Sequence, residues 1–119
     1  MSLSKSNILN GADSSAIDVA VRALQRDLLV AIPTETVYGL AARASSPSAV
    51  KKIFVVKGRP SGHPLILHVA KKQDLPLWSL ELSNNARVIA DRYWPGPLTI
   101  IVKRNDKVCD EITGGRDTV

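Results

Sequence analysis

The sequence has 119 residues, enough for one domain with a single core. Its 45% hydrophobic and 23% charged content is that of a globular chain, and no apolar run approaches the ~20 residues of a membrane span. A net charge of +5 at pH 7 favours anionic partners (nucleotides, nucleic acid or acidic small molecules) without choosing among them.

A single cysteine, Cys109, excludes an internal disulfide and a cysteine-rich metal site. With only two histidines beside it, a structural zinc site has too few ligands. Aromatic content of 4% argues against the stacking platforms of single-strand RNA binders. Met1 to Asn10 lacks the basic start and apolar segment of a secretory signal, so a cytoplasmic protein is expected.

In chain order, residues 1–14 read as a loose polar lead-in. Ser15 reads as an N-cap, with Asp18 as its capping-box partner. Ile17, Ala20, Val21, Leu24 and Leu28 then recur at helical spacing. Leu28 to Ile32 predicts a buried strand ending at Pro33. The octapeptide Pro33-Thr34-Glu35-Thr36-Val37-Tyr38-Gly39-Leu40 follows, where open α/β sheets bind ligands. It reads equally well as a turn in which the threonines make local bonds.

Ser46-Pro47 predicts a helix start, with Ala49, Val50, Ile53 and Phe54 as its apolar stripe and Gly58-Arg59-Pro60 as its stop. Pro64 to Ala70 predicts a second strand, with a short turn around Asp74 to Trp78 after it. A third helix is expected after Ser83, ended by Trp94-Pro95-Gly96-Pro97, with a third strand over Leu98 to Val102. Arg104 to Val119 reads as polar, with Gly114-Gly115 as a flexible pair. Helices alternating with apolar strands predict an α/β domain.

No P-loop, no Gly-x-Gly-x-x-Gly and no Gly-x-Ser-x-Gly occurs, and Cys109 has no histidine near it in sequence. What carries chemistry is the stretch from Phe54 to Val69. Lys57 and Arg59 flank Gly58, and His63 and His68 follow within a loop stiffened by Pro60 and Pro64. Arginine grips a phosphate bidentately while lysine acts as a movable point charge. A last-turn lysine is equally explained by the helix dipole. A histidine in an apolar strand is more often a core residue than a functional one, and only its nearness to the basic loop brings the two readings level for His68.

Four blocks stand in order between Pro33 and Thr99: Pro-Thr-Glu-Thr-Val-Tyr-Gly-Leu, Lys-Gly-Arg-Pro, Pro-Leu-Ile-Leu-His-Val and Trp-Pro-Gly-Pro-Leu-Thr. In these the chain resembles the YrdC-like family of threonylcarbamoyl-AMP synthases. The resemblance implies a twisted, mixed, open α/β sheet with flanking helices and a basic cleft. It implies synthesis of threonylcarbamoyl-AMP and pyrophosphate from L-threonine, bicarbonate and ATP. Mg2+ would be held mainly by the nucleotide. The adenylate would pass to a tRNA-modifying transferase complex that makes threonylcarbamoyladenosine.

Carried over by position, Lys57 and Arg59 match the basic pair on the ATP phosphates, proposed as the catalytic electrostatic groups. His63 stands where the family commonly has an ATP-contacting Asn, and Thr118 falls on a later nucleotide-contacting position. Thr36 and His68 match positions that hold L-threonine, with Thr34 and Tyr38 on the same wall. The family domain continues well past this length and supplies a Ser-x-Asn element there. Ser83-Asn84-Asn85 is not that element but a helix cap. The chain is therefore expected to be the N-terminal portion of one YrdC-like domain, with an unpaired sheet edge and little activity alone. Two other readings stay open. The charge suits a module binding double-stranded RNA or tRNA, and the basic loop also suits a carbamoyl-transfer domain related to hydrogenase maturation. Lys-Gly-Arg-Pro followed by Pro-Leu-Ile-Leu-His-Val favours the threonine enzyme.

Overall fold

A computed structural model describes residues 8–119. The seven residues before them, which hold half of the expected lead-in, lie outside the described part. Asn10 folds the chain back ahead of the first helix: its carbonyl accepts from Asp13 N at 3.0 Å, and its Oδ1 accepts from Ala12 N at 3.1 Å.

Helix α1 runs Ser14–Gln25. Its N-cap is Asp13, not Ser15, and Asp13 makes no side-chain capping bond. The helix stops without glycine or proline because Asp27 takes up φ 60°. Aspartate tolerates that left-handed geometry better than most side chains. The Leu28 N–H then bonds to Ala23 O at 3.0 Å, closing the helix end. Of the predicted stripe, Ile17 and Val21 are about half exposed, at 52% and 45%. The reason is that α1 packs chiefly on one short strand and has little else to cover it.

That strand, β1, is Val30–Ile32, and β2 is Gly39–Ala41. They pair antiparallel with Val30 opposite Ala41 and Ile32 opposite Gly39. The expected buried strand is thus shorter and only half-buried. Pro33 to Tyr38 is the hairpin loop, and the end of the octapeptide is a strand of its own.

Helix α2, Pro47–Lys57, forms as the sequence predicts. Ser46 Oγ accepts from Ala49 N at 3.3 Å, Pro47 opens the helix, and Gly58 ends it at φ 60°. Val50 and Phe54 pack on Val108 and Ile112, and this cluster is the main core. Ile112 lies on a single-turn helix, α4, Asp110–Thr113. The Lys51–Glu111 ion pair, at 3.2 Å, spans the same contact. The tail read as polar therefore supplies half of the core.

A 3-10 segment at Lys72–Leu77 answers the expected turn. Helix α3, Asn84–Tyr93, begins with Ser83 Oγ accepting from Ala86 N at 3.1 Å. Leu65 to Val69 and Leu98 to Val102 are extended, and their exposure alternates residue by residue, as in strands. Neither forms a named strand, although Val102, at the end of the second, exchanges both main-chain bonds with Val119 at 2.9 Å. Among the described residues the sheet is the β1–β2 pair.

Candidate functional site

The basic loop leaves the C-terminus of α2 and is held at both ends. Arg59 N bonds to Phe54 O at 3.0 Å, and Leu65 N bonds to Ile112 O at 2.7 Å. Midway, Gly114, at φ 63°, presses against Gly62: a Cβ on Gly114 would lie 2.5 Å from the Gly62 carbonyl oxygen. Only glycine permits both that backbone angle and that approach. The loop is thereby seated on α4 through main chain.

Lys57, Arg59 and His63 all point to solvent. None of them has an ion-pair partner among the described residues. Between unit charges 4 Å apart in water the attraction is about 1 kcal/mol, rising to about 4 at an effective dielectric of 20. Exposed as they are, the two cations would offer an anion only the weaker of these attractions.

The hairpin loop is organised by its hydroxyls. Thr34 Oγ1 accepts from Thr36 N at 3.3 Å, lies 3.5 Å from Thr36 Oγ1, and donates to Val37 O. These are the local bonds of a turn, and they hold Thr36 in place. Tyr38 is 77% exposed.

A cavity of about 770 Å3 lies between the two extended segments. His68 and Thr118 line it, together with Glu35, Thr113 and Arg116. Lys57, Arg59, His63, Thr34, Thr36 and Tyr38 do not. The structure therefore places His68, Thr118 and the hairpin's Glu35 on the wall of one cavity, and leaves the basic loop outside it.

Sequence reasoning passed over Glu35 and Arg116 as site residues. Glu35 had a signal, a carboxylate between two threonines beyond a strand. Arg116 had only its place beside Thr118. The Thr113 hydroxyl is buried at the cavity wall with no hydrogen-bond partner. Burial pushes the Cys109 thiol up, which keeps it protonated and unsuited to nucleophilic attack. Glu111 is held below the usual carboxylate range, first by its own main-chain N–H and then by Lys51.

Residues 22–119 match the family profile Sua5_yciO_yrdC, described as "Telomere recombination". The chain belongs to that family. It is 43% identical over 113 residues to the threonylcarbamoyl-AMP synthase of Pyrococcus abyssi, an alignment covering 95% of this chain and 33% of the relative. The enzyme of the same name from Bacillus subtilis is 43% identical over 101 residues, covering 84% and 29%. Among solved structures, P. abyssi Sua5 complexed with L-threonine superposes with a TM-score of 0.87 at 45% identity, over 90% of this chain and 32% of that one. A P. abyssi Sua5 variant gives a TM-score of 0.88. The fold is thus the expected α/β fold. The chain spans about a third of the length of these relatives.

Proposed function

We propose that this chain carries the phosphate loop and part of the amino-acid wall of a threonylcarbamoyl-AMP synthase. The observation that carries the reading is the likeness, at a TM-score of 0.87 and 45% identity, to a protein complexed with L-threonine. Thr36, locked in place by Thr34, and His68, on the cavity wall, are the groups we assign to L-threonine, with Tyr38 and Thr34 on the same side of the hairpin. Lys57 and Arg59 are assigned to the ATP phosphates, with His63 and Thr118 as further nucleotide contacts.

In this reading the threonine amine takes up CO2 from bicarbonate as a carbamate. A carbamate oxygen attacks the α-phosphorus of ATP, and the bond to the bridging oxygen breaks, releasing pyrophosphate. Charge grows on the phosphoryl oxygens and the leaving group. Cations already aimed there stabilise the transition state more than the ground state. Arg59 offers a planar fork to two phosphate oxygens, and Lys57 a single mobile ammonium. No group of three or more His, Cys, Asp or Glu side chains converges among the described residues, so these residues provide no metal cage. Mg2+ belongs to the nucleotide in this reading.

The product would pass to a transferase complex acting on tRNA. No helix among the described residues is long and apolar enough to cross a membrane. We place the reaction in the cytoplasm, where ATP and tRNA meet.

The test is pyrophosphate release by the full-length protein. It should require threonine, bicarbonate and ATP together. Equal release without threonine would overturn the reading, and turnover of carbamoyl phosphate without threonine would favour the carbamoyl-transfer alternative.

A further inference from the structure

Asp27 ends α1 at φ 60°, where glycine would be the least strained residue. Aspartate there keeps a side chain, and both of its acceptors are taken. Its carbonyl accepts from Lys52 Nζ at 2.7 Å, and its Oδ1 lies 2.7 Å from Arg43 Nη2. That Oδ1 is buried without a hydrogen-bond partner, so the Arg43 charge is what compensates it.

The two cations come from different places. Arg43 follows β2, and its carbonyl accepts at 3.1 Å from the N–H of Ser46, the cap of α2. Lys52 stands midway along α2. Asp27 thus ties the end of α1 both to the turn that leads out of the hairpin and to α2 itself. Among the described residues, no other hydrogen bond or ion pair joins residues 8–41 to residues 42–119.

Apolar packing does not make the same connection. The core around Val50 and Phe54 takes no residue from α1, β1 or β2. Those three elements pack on one another instead. The hairpin therefore stands outside the cluster that holds α2, and its angle to α2 depends on the Asp27 contacts and the short connecting turn.

The assigned ligand groups fall on the two sides of this junction. Thr34 and Thr36 are on the hairpin. His68 is on the other side, with Lys57, Arg59, His63 and Thr118. One threonine must therefore meet groups from both sides, whereas ATP meets groups from one.

We infer that Asp27, acting through Arg43 and Lys52, is a positioning residue that sets Thr36 against His68 so that both reach one threonine. This rests on the assignment of Thr36 and His68 to L-threonine. Misplacing an oriented group by about 1 Å from a distant site can cost about a hundredfold in rate, so a small change in hairpin angle is enough.

The test uses the full-length protein, well below its melting midpoint. Asp27→Asn keeps the carbonyl for Lys52 and a residue tolerant of the left-handed region, and it removes only the charge. Arg43→Met removes the partner, and Arg43→Lys restores a cation. Asp27→Asn and Arg43→Met should each weaken threonine binding roughly fivefold or more and leave ATP binding within about twofold. The double variant should be no worse than the weaker-binding single one, and Arg43→Lys should recover part of the loss. Backbone residual dipolar couplings, which need no ligand, should show the hairpin turned relative to α2 in Asp27→Asn. Unchanged threonine affinity, equal losses for threonine and ATP, or an unmoved hairpin would overturn the inference. A wild-type protein that binds no threonine would refute the functional assignment instead, and the couplings would still decide whether Asp27 sets the hairpin angle.

Discussion

Gly114 is the residue whose replacement says most about how the basic loop is held. Alanine there keeps a φ of 63°, which costs an L-residue roughly 1–2 kcal/mol. Its Cβ would lie 2.5 Å from Gly62 O, where ordinary contact begins near 3.4 Å, so the two backbones must part by almost 1 Å. Overpacking of that kind costs roughly 1–3 kcal/mol more. Gly115→Ala is the matched control: its φ is 82°, but nothing lies within 4 Å of the added carbon. Urea denaturation should show a loss of about 2–5 kcal/mol for Gly114→Ala and about 1–2 for Gly115→Ala. The Gly62 and His63 amide resonances should move in the first variant only. Equal losses in the two, with Gly62 unmoved, would refute the claim that this contact seats the loop.

Arg59→Ala in the full-length protein should cost on the order of 2–4 kcal/mol of transition-state stabilisation, by analogy with loss of an oxyanion donor. A rate change below twofold would remove Arg59 from the site. Ser46→Ala should lower stability by about 1 kcal/mol through the lost α2 cap, read from the urea midpoint. Ile112→Ala should cost about 2–5 kcal/mol by leaving a cavity against Val50 and Phe54. Glu111 has a depressed pKa, so the unfolded chain binds its proton first as pH falls. Its contribution is present above the ordinary glutamate pKa and is lost as pH falls through the lower folded value. Glu111→Gln should flatten that acid limb of a stability–pH curve, and an unchanged limb would contradict the assignment.

The helices α2 and α3 were legible because their signals are local. Ser46-Pro47 and Ser83 cap by reaching three residues along the chain, and Gly58 supplies the left-handed stop. The end of α1 was not legible, because Asp27 does with a tolerated backbone angle what glycine usually does. The strand β2 was hidden inside a motif that draws the eye to chemistry. Leu65 to Val69 and Leu98 to Val102 have the alternation of strands, yet a strand is defined by its partner, which pattern alone cannot supply.

The site divided in the same way. Threonines and cations were visible from residue type, whereas their separation into a hairpin, a solvent-facing loop and a cavity wall depends on the fold. The role of the tail was the largest miss. Val108 and Ile112 stand four apart, with Gly114-Gly115 after them, a short helix signal overshadowed by the charges around it.

That tail also sets the order in which the protein can assemble during synthesis. Val50 and Phe54 leave the ribosome long before Val108 and Ile112, which lie roughly half the chain further on. Until the later pair arrives, α2 has only Ala44, Leu65, Leu67 and Trp78 to pack against, and the basic loop has no α4 to rest against. Loop-closure entropy must be met before the contact rewards it, which slows folding. The nascent chain therefore displays a cationic loop and a partly uncovered Phe54 while roughly half of these residues are being added. An anionic surface met at that stage would face Lys57 and Arg59 before α4 has seated their loop.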